Sequence, residues 1–169
     1  MRQLLWSRFG DGAGGPDVQV EKHHVAPALY VAELERSVFC ACPAGWQIWS
    51  PRAYAAILSG CIPLFFSLES AVLPFEAARA QPPRDAALDY DAFSLTMTRD
   101  DVPTIERTLR ALAPARIERM QRALRDVALR FTYQDKADFR GADAANVALL
   151  GLADRYAAVS RRVRWEGRA

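Results

Sequence analysis

The sequence predicts an α/β fold, a mostly parallel sheet with helices on both faces, and three observations carry that prediction. Residues 37–42 (Ser-Val-Phe-Cys-Ala-Cys) and 62–67 (Ile-Pro-Leu-Phe-Phe-Ser) are continuous runs of strand formers, the pattern of strands buried on both faces. Between them lie a loop and one helix with its own start and stop signals, so the unit reads strand, loop, helix, strand; such strands should be parallel, with a right-handed crossover. Further apolar residues downstream recur at helical spacing around another short strand, and alternation of this kind builds helices onto a sheet.

In order along the chain, residues 2–9 suit a short helix, and the glycine-rich stretch 10–16 is a flexible connection. Residues 18–20 read as a short strand, and 27–36 as a helix with proline in its first turn. After the loop 43–49, Ser50 is a good N-cap, Pro51 fits the first helical position and Gly60 the stop. Gln81-Pro82-Pro83-Arg84 marks a surface loop, and 93–98 another strand. Asp101 is read as the cap of a helix that begins Val102-Pro103 and runs to about Leu112. Pro114 opens a longer helix, whose Ile117, Met120, Leu124, Val127 and Phe131 form one core-facing stripe. Gly141 interrupts that pattern, and 144–159 read as a last helix.

Composition bounds the function. A chain of 169 residues, 51% hydrophobic and 25% charged, suits one soluble globular domain over 1–169. The net charge of +2 argues against a nucleic-acid protein, which carries a concentrated basic face. Arg161, Arg162, Arg164 and Arg168 form a basic tail, read as a solvated end. Residues 1–9 lack a signal-peptide pattern, and the most apolar stretch, 57–68, is shorter than the roughly 20 residues that cross a bilayer. Three cysteines, Cys40, Cys42 and Cys61, are an odd count without the pattern of a disulfide scaffold, and are read as small buried hydrophobes.

Ligands of open parallel sheets bind beyond the carboxyl ends of the strands. Here that rim is 43–49, leading into the N-terminus of the Ser50 helix, where free backbone N–H groups and the macrodipole favour an anion. Arg52 in the first turn opposes the dipole unless an anion sits between them, and a diphosphate resolves the conflict; a solvated or structurally paired arginine is the plain alternative. Gly45 lets the backbone approach a ligand, and Trp46 and Trp49 offer faces for a base or sugar, or else pack under the loop. Neither a G-x-G-x-x-G nor a Walker pattern is present, which disfavours a dinucleotide dehydrogenase or a P-loop kinase.

These residues resemble the signature of the exostosin family of glycosyltransferases, S-x-F-C-L-x-P-x-G, S-x-R-x-x-E-A-I and G-C-I-P. The matching segments are Ser37 to Gly45, Ser50-Pro51-Arg52 and Gly60-Cys61-Ile62-Pro63. Leu73-Pro74-Phe75, Leu88 to Ser94, Asp101-Val102-Pro103, Phe131-Thr132-Tyr133 and Gly141 to Ala144 extend the likeness in the same order. The resemblance implies the donor-binding, C-terminal half of a GT-B enzyme, one of two facing Rossmann-like domains, with the N-terminal acceptor domain and its general base absent. The implied reaction moves a sugar from a nucleotide-sugar, a UDP-sugar in most members, to a glycan acceptor, with no separate cofactor or metal. It also implies a Golgi membrane location through an N-terminal anchor outside this chain. Gly45, Ser50 and Arg52 would lie against the donor diphosphate; Gly60 and Pro63 would be structural. Two departures stand out. Ala55 replaces the family's glutamate, a group suited to donor hydroxyls, and the acidic residue after the second strand is displaced by one, leaving Glu69 as the candidate substitute. A non-catalytic scaffold or partner subunit is therefore the alternative reading.

Other chemistry-bearing residues have plainer accounts. His23 and His24 are adjacent on extended chain and point apart, which makes joint metal binding weak. Asp100 and Asp101 form a pair on paper, but capping accounts for them better.

Overall fold

The computed structural model describes residues 1–21, 25–44, 50–66, 88–132 and 144. Contacts divide the chain into two compact units, one of Met1–Val72 with Tyr90–Asp126, the other of Leu73–Asp89 with Val127–Ala169. The first holds a three-stranded, all-parallel sheet in the order β1 (Phe39–Cys42), β2 (Ile62–Phe66), β3 (Leu95–Met97). Around it lie α1 (Arg2–Phe9), α2 (Pro27–Arg36), α3 (Pro51–Leu58) and α4 (Ile105–Arg110). The α/β class and parallel sheet predicted by the two apolar runs are therefore present.

Register sorts the side chains. Phe39 lies opposite Ile62, Ala41 opposite Leu64, and Leu64 opposite Leu95. Because side chains alternate, Phe39, Ala41, Leu64, Phe66, Leu95 and Met97 share one face. That face packs against Leu5 and Phe9 of α1, Val102, and Ile105 of α4. Cys40, Cys42 and Phe65 point the other way, toward the side of the crossover helix α3, whose Ala56 and Ile57 are buried outside that cluster. The central strand β2 is buried at all five positions, whereas β1 alternates half-buried and buried residues because it is an edge among the described strands.

Three elements differ from the sequence reading. Residues 18–20 form no strand; Val18 and Val20 pack against the α1 side of the core, and the Val18 backbone N–H donates to the Gly15 carbonyl at 3.3 Å in a turn rather than to a neighbouring strand. Val102–Thr104 is a separate 3₁₀ turn before α4, because Thr104 takes a non-helical conformation (φ −113°, ψ 0°). The Asp101 carboxylate makes no cap bond forward; it accepts from the backbone N–H and hydroxyl of Thr98 behind it, at 2.6 and 2.7 Å. Those bonds hold its carboxyl below the usual range. The strand predicted over 93–98 contracts to Leu95–Met97, since Phe93 and Ser94 close a turn on the Tyr90 carbonyl.

The cysteine reading needs correction. All three are buried, as small hydrophobes would be, but Cys40 and Cys61 are joined by a disulfide with Cα atoms 5.8 Å apart. Parallel register sets Cys40 diagonally across from the residue that precedes β2, within bridging range. Only Cys42 is a free thiol.

Gly60 ends the helical segment with φ +74°, a left-handed conformation that favours glycine. The glycine-rich segment is fastened by Arg110, which donates to Asp17 at 2.6 Å and to Glu106 at 2.9 Å. α5 (Pro114–Ala128) buries Met120 and Leu124 and leaves Ile117 half-buried, as its stripe predicts; farther along the stripe, Val127 and Phe131 are half-buried. The helix expected over 144–159 lies outside the described residues except for Ala144, which is helical.

Candidate functional site

The strands are parallel, so Cys42, Phe66 and Met97 end at one edge of the sheet. From that edge the chain passes through 43–49 and enters α3 at Ser50. Ser50 is extended (φ −138°, ψ 132°), and its hydroxyl accepts from the Arg52 backbone N–H at 3.4 Å, a long bond. Its carbonyl accepts from Ala53 N–H at 3.2 Å. Pro51 has no N–H to offer. The first donors of this helix are thus already engaged, which leaves the Arg52 side chain and the dipole behind it as the groups there that could attract an anion.

Arg52 is exposed, and its guanidinium carbon lies over the Tyr30 ring, 5.7 Å from the centroid. Tyr30 belongs to α2, which packs against α3, and is half-buried. Among the described residues no carboxylate pairs with Arg52. Arg52 lies in the first turn of the helix that follows the carboxyl end of β1, and its charge is felt weakly at the thiol of Cys42, the last residue of that strand. Burial pushes the Cys42 thiol up to about 12, against the weaker opposing influence of Arg52 and the Leu64 backbone N–H. At neutral pH the group is therefore a protonated, unreactive thiol that donates to the Cys40 carbonyl at 3.3 Å.

Of the residues singled out from the sequence, Ser50 and Arg52 come together at the start of α3. Ala55, where the family pattern has glutamate, is half-buried one turn on. Gly45 and Glu69 lie outside the described residues, as do Trp46, Trp49, His23 and His24. Sequence reasoning missed Tyr30. The one signal available was that 27–36 is an amphipathic helix directly before the first strand, and nothing in that pattern says which arginine its tyrosine meets.

The family model of the Exostosin GT47 domain matches residues 1–112, which include all three strands and the Ser50 helix. The chain belongs to the exostosin GT47 family. Its similarity to individual members extends farther. A rice protein (Oryza sativa subsp. japonica) named "Probable glucuronosyltransferase Os01g0926400" is 31% identical over 90% of this chain and 32% of its own length. "Probable beta-1,4-xylosyltransferase IRX10L" of Arabidopsis thaliana is 32% identical over 90% of this chain and 33% of its own. "Probable glucuronosyltransferase 47 A" of Physcomitrium patens is 28% identical over 90% and 30%. This exostosin chain spans about a third of the length of the curated relatives it matches. No helix among the described residues is long and apolar enough to cross a membrane.

Proposed function

We propose that this exostosin-family chain is the donor-binding portion of a glycosyltransferase that moves a sugar from a nucleotide-sugar, a UDP-sugar, to a glycan. The observation that carries the reading is Arg52, an exposed guanidinium without a carboxylate partner among the described residues, in the first turn of the helix that follows the carboxyl end of β1. Breaking a sugar–diphosphate bond builds negative charge on the leaving diphosphate, and a fixed cation with in-plane donors stabilises it. The relatives' names, glucuronosyltransferase and xylosyltransferase, support a glycosyl donor as the ligand class. On this reading Ser50 shapes the helix start, and Gly45 and Glu69 complete the donor contacts. Deprotonation of the acceptor hydroxyl is assigned to no residue of this chain. A two-domain GT-B arrangement and residence at the Golgi membrane belong to the same reading.

Ala55 favours a second reading, a non-catalytic partner, because its methyl group cannot hydrogen-bond donor hydroxyls. Calorimetric titration with UDP, against ADP and GDP, separates the two. The donor reading expects UDP binding that weakens at least tenfold in Arg52→Ala. A folded chain that binds no nucleotide, even with Ala55→Glu, supports the second reading instead.

A further inference from the structure

We propose that Tyr30 is a positioning residue that holds Arg52 ready for the donor diphosphate; this inference rests on the donor reading above. Arg52 sits in the first turn of α3, at the positive end of the macrodipole, where its charge is disfavoured. Its long side chain also carries rotamer entropy, part of which is lost when it is fixed on a ligand. An acidic partner would solve both problems, but it would neutralise the charge and occupy the N–H donors that a phosphate needs. An aromatic face solves them differently. The ring quadrupole attracts the cation through its face, and the donors along the guanidinium edge stay open for oxygen ligands.

The geometry fits that role. The guanidinium carbon is 5.7 Å from the Tyr30 centroid, within the roughly 6 Å reach of a cation–π contact. Tyr30 is itself firmly placed: it is half-buried, has few rotatable bonds, and its backbone N–H donates to the Ala26 carbonyl at 2.9 Å on a helix anchored by buried Leu34. Arg52 thus has the Tyr30 ring beside it at the start of the helix that follows β1. The two helices bring together the cation proposed to meet the ligand and a ring that supports it.

The test uses the full chain, UDP titration and four variants. Tyr30→Phe keeps the ring and should bind within twofold of wild type. Tyr30→Leu keeps apolar bulk without a π face and should weaken UDP about two- to fivefold, the worth of an exposed cation–π contact. In an Arg52→Ala background, Tyr30→Leu should have no further effect, which a general structural role would not produce. If Tyr30→Leu fails to fold, Tyr30→Trp takes its place and should bind at least as tightly as wild type, since indole has the strongest face. An NMR readout needs no ligand: the Arg52 Nε–H resonance should carry an aromatic ring-current shift that Tyr30→Phe retains. Equal UDP affinity in Tyr30→Leu, equal loss in Tyr30→Phe, or loss that adds to Arg52→Ala would each overturn the inference while leaving the donor reading intact. Absence of UDP binding to the wild-type chain would overturn both.

Discussion

The two faces of the β1–β2–β3 sheet are built on different principles. One is a continuous apolar layer in which Leu64, Phe66 and Met97 meet Leu5, Phe9 and Ile105. The other carries Cys40, Cys42 and Phe65, whose ring meets Tyr90 edge-on at 6.0 Å, with a two-turn helix that contributes Ala56 and Ile57, and there a covalent bond joins strand to crossover. The first face gains stability from buried area, about 25 cal/mol per Å². The second adds a disulfide, which limits the freedom of the unfolded chain. The candidate site lies along the second face.

Three experiments sharpen or break this contrast. The largest effect should come from Phe66→Ala, which opens a cavity in the apolar layer and should cost about 3–5 kcal/mol in urea unfolding. UDP affinity of the remaining folded molecules should be unchanged; a parallel loss of affinity would mean the faces are not separable. Next, replacing both Cys40 and Cys61 by serine, or reducing the bond, should cost about 3 kcal/mol, from the 21-residue separation it closes. No change in the melting temperature would show that the second face needs no staple. The third effect is absent at neutral pH and concerns Cys42. Its folded pKa is raised to about 12 from 9.0, so above pH 9 the unfolded state ionises first and unfolding becomes progressively easier up to about pH 12. Below pH 9 this contribution is complete. The extra alkaline loss, at most about 1.4 kcal/mol per pH unit, should vanish in Cys42→Ala; an unchanged pH profile would place the thiol in water.

Local rules were enough for much of this fold. Pro27 and Pro51 at helix starts, Ser50 as a cap and Gly60 as a stop act over a few residues, and each appears where the sequence predicts it. The apolar runs gave the strands for a related reason, since a central strand such as β2 must be apolar on both sides. What the sequence hid depends on three-dimensional neighbours. Val18 and Val20 have strand-forming side chains but find a core rather than a strand edge. The Cys40–Cys61 bond follows from parallel register, which no spacing rule encodes, and the odd cysteine count argued against it. At the site, Ser50 and Arg52 were legible because a cap and a first-turn cation are adjacent in sequence. Tyr30 was not, because its partner lies on another helix.

The Cys40–Cys61 bond has a consequence for where and how this chain can be made. It closes a covalent ring that contains the rim segment and the whole of α3, the very stretch proposed to meet the donor. Such bonds form and persist in oxidising lumens and are kept open by the thiol buffers of the cytosol. A chain synthesised in a bacterial cytoplasm would therefore emerge with an open ring and a less stable α3 side. The same chain delivered to the periplasm, or to a eukaryotic secretory lumen, would close it. Expression host is thus part of the chemistry: binding assays on reduced material would measure a looser molecule than the one described here.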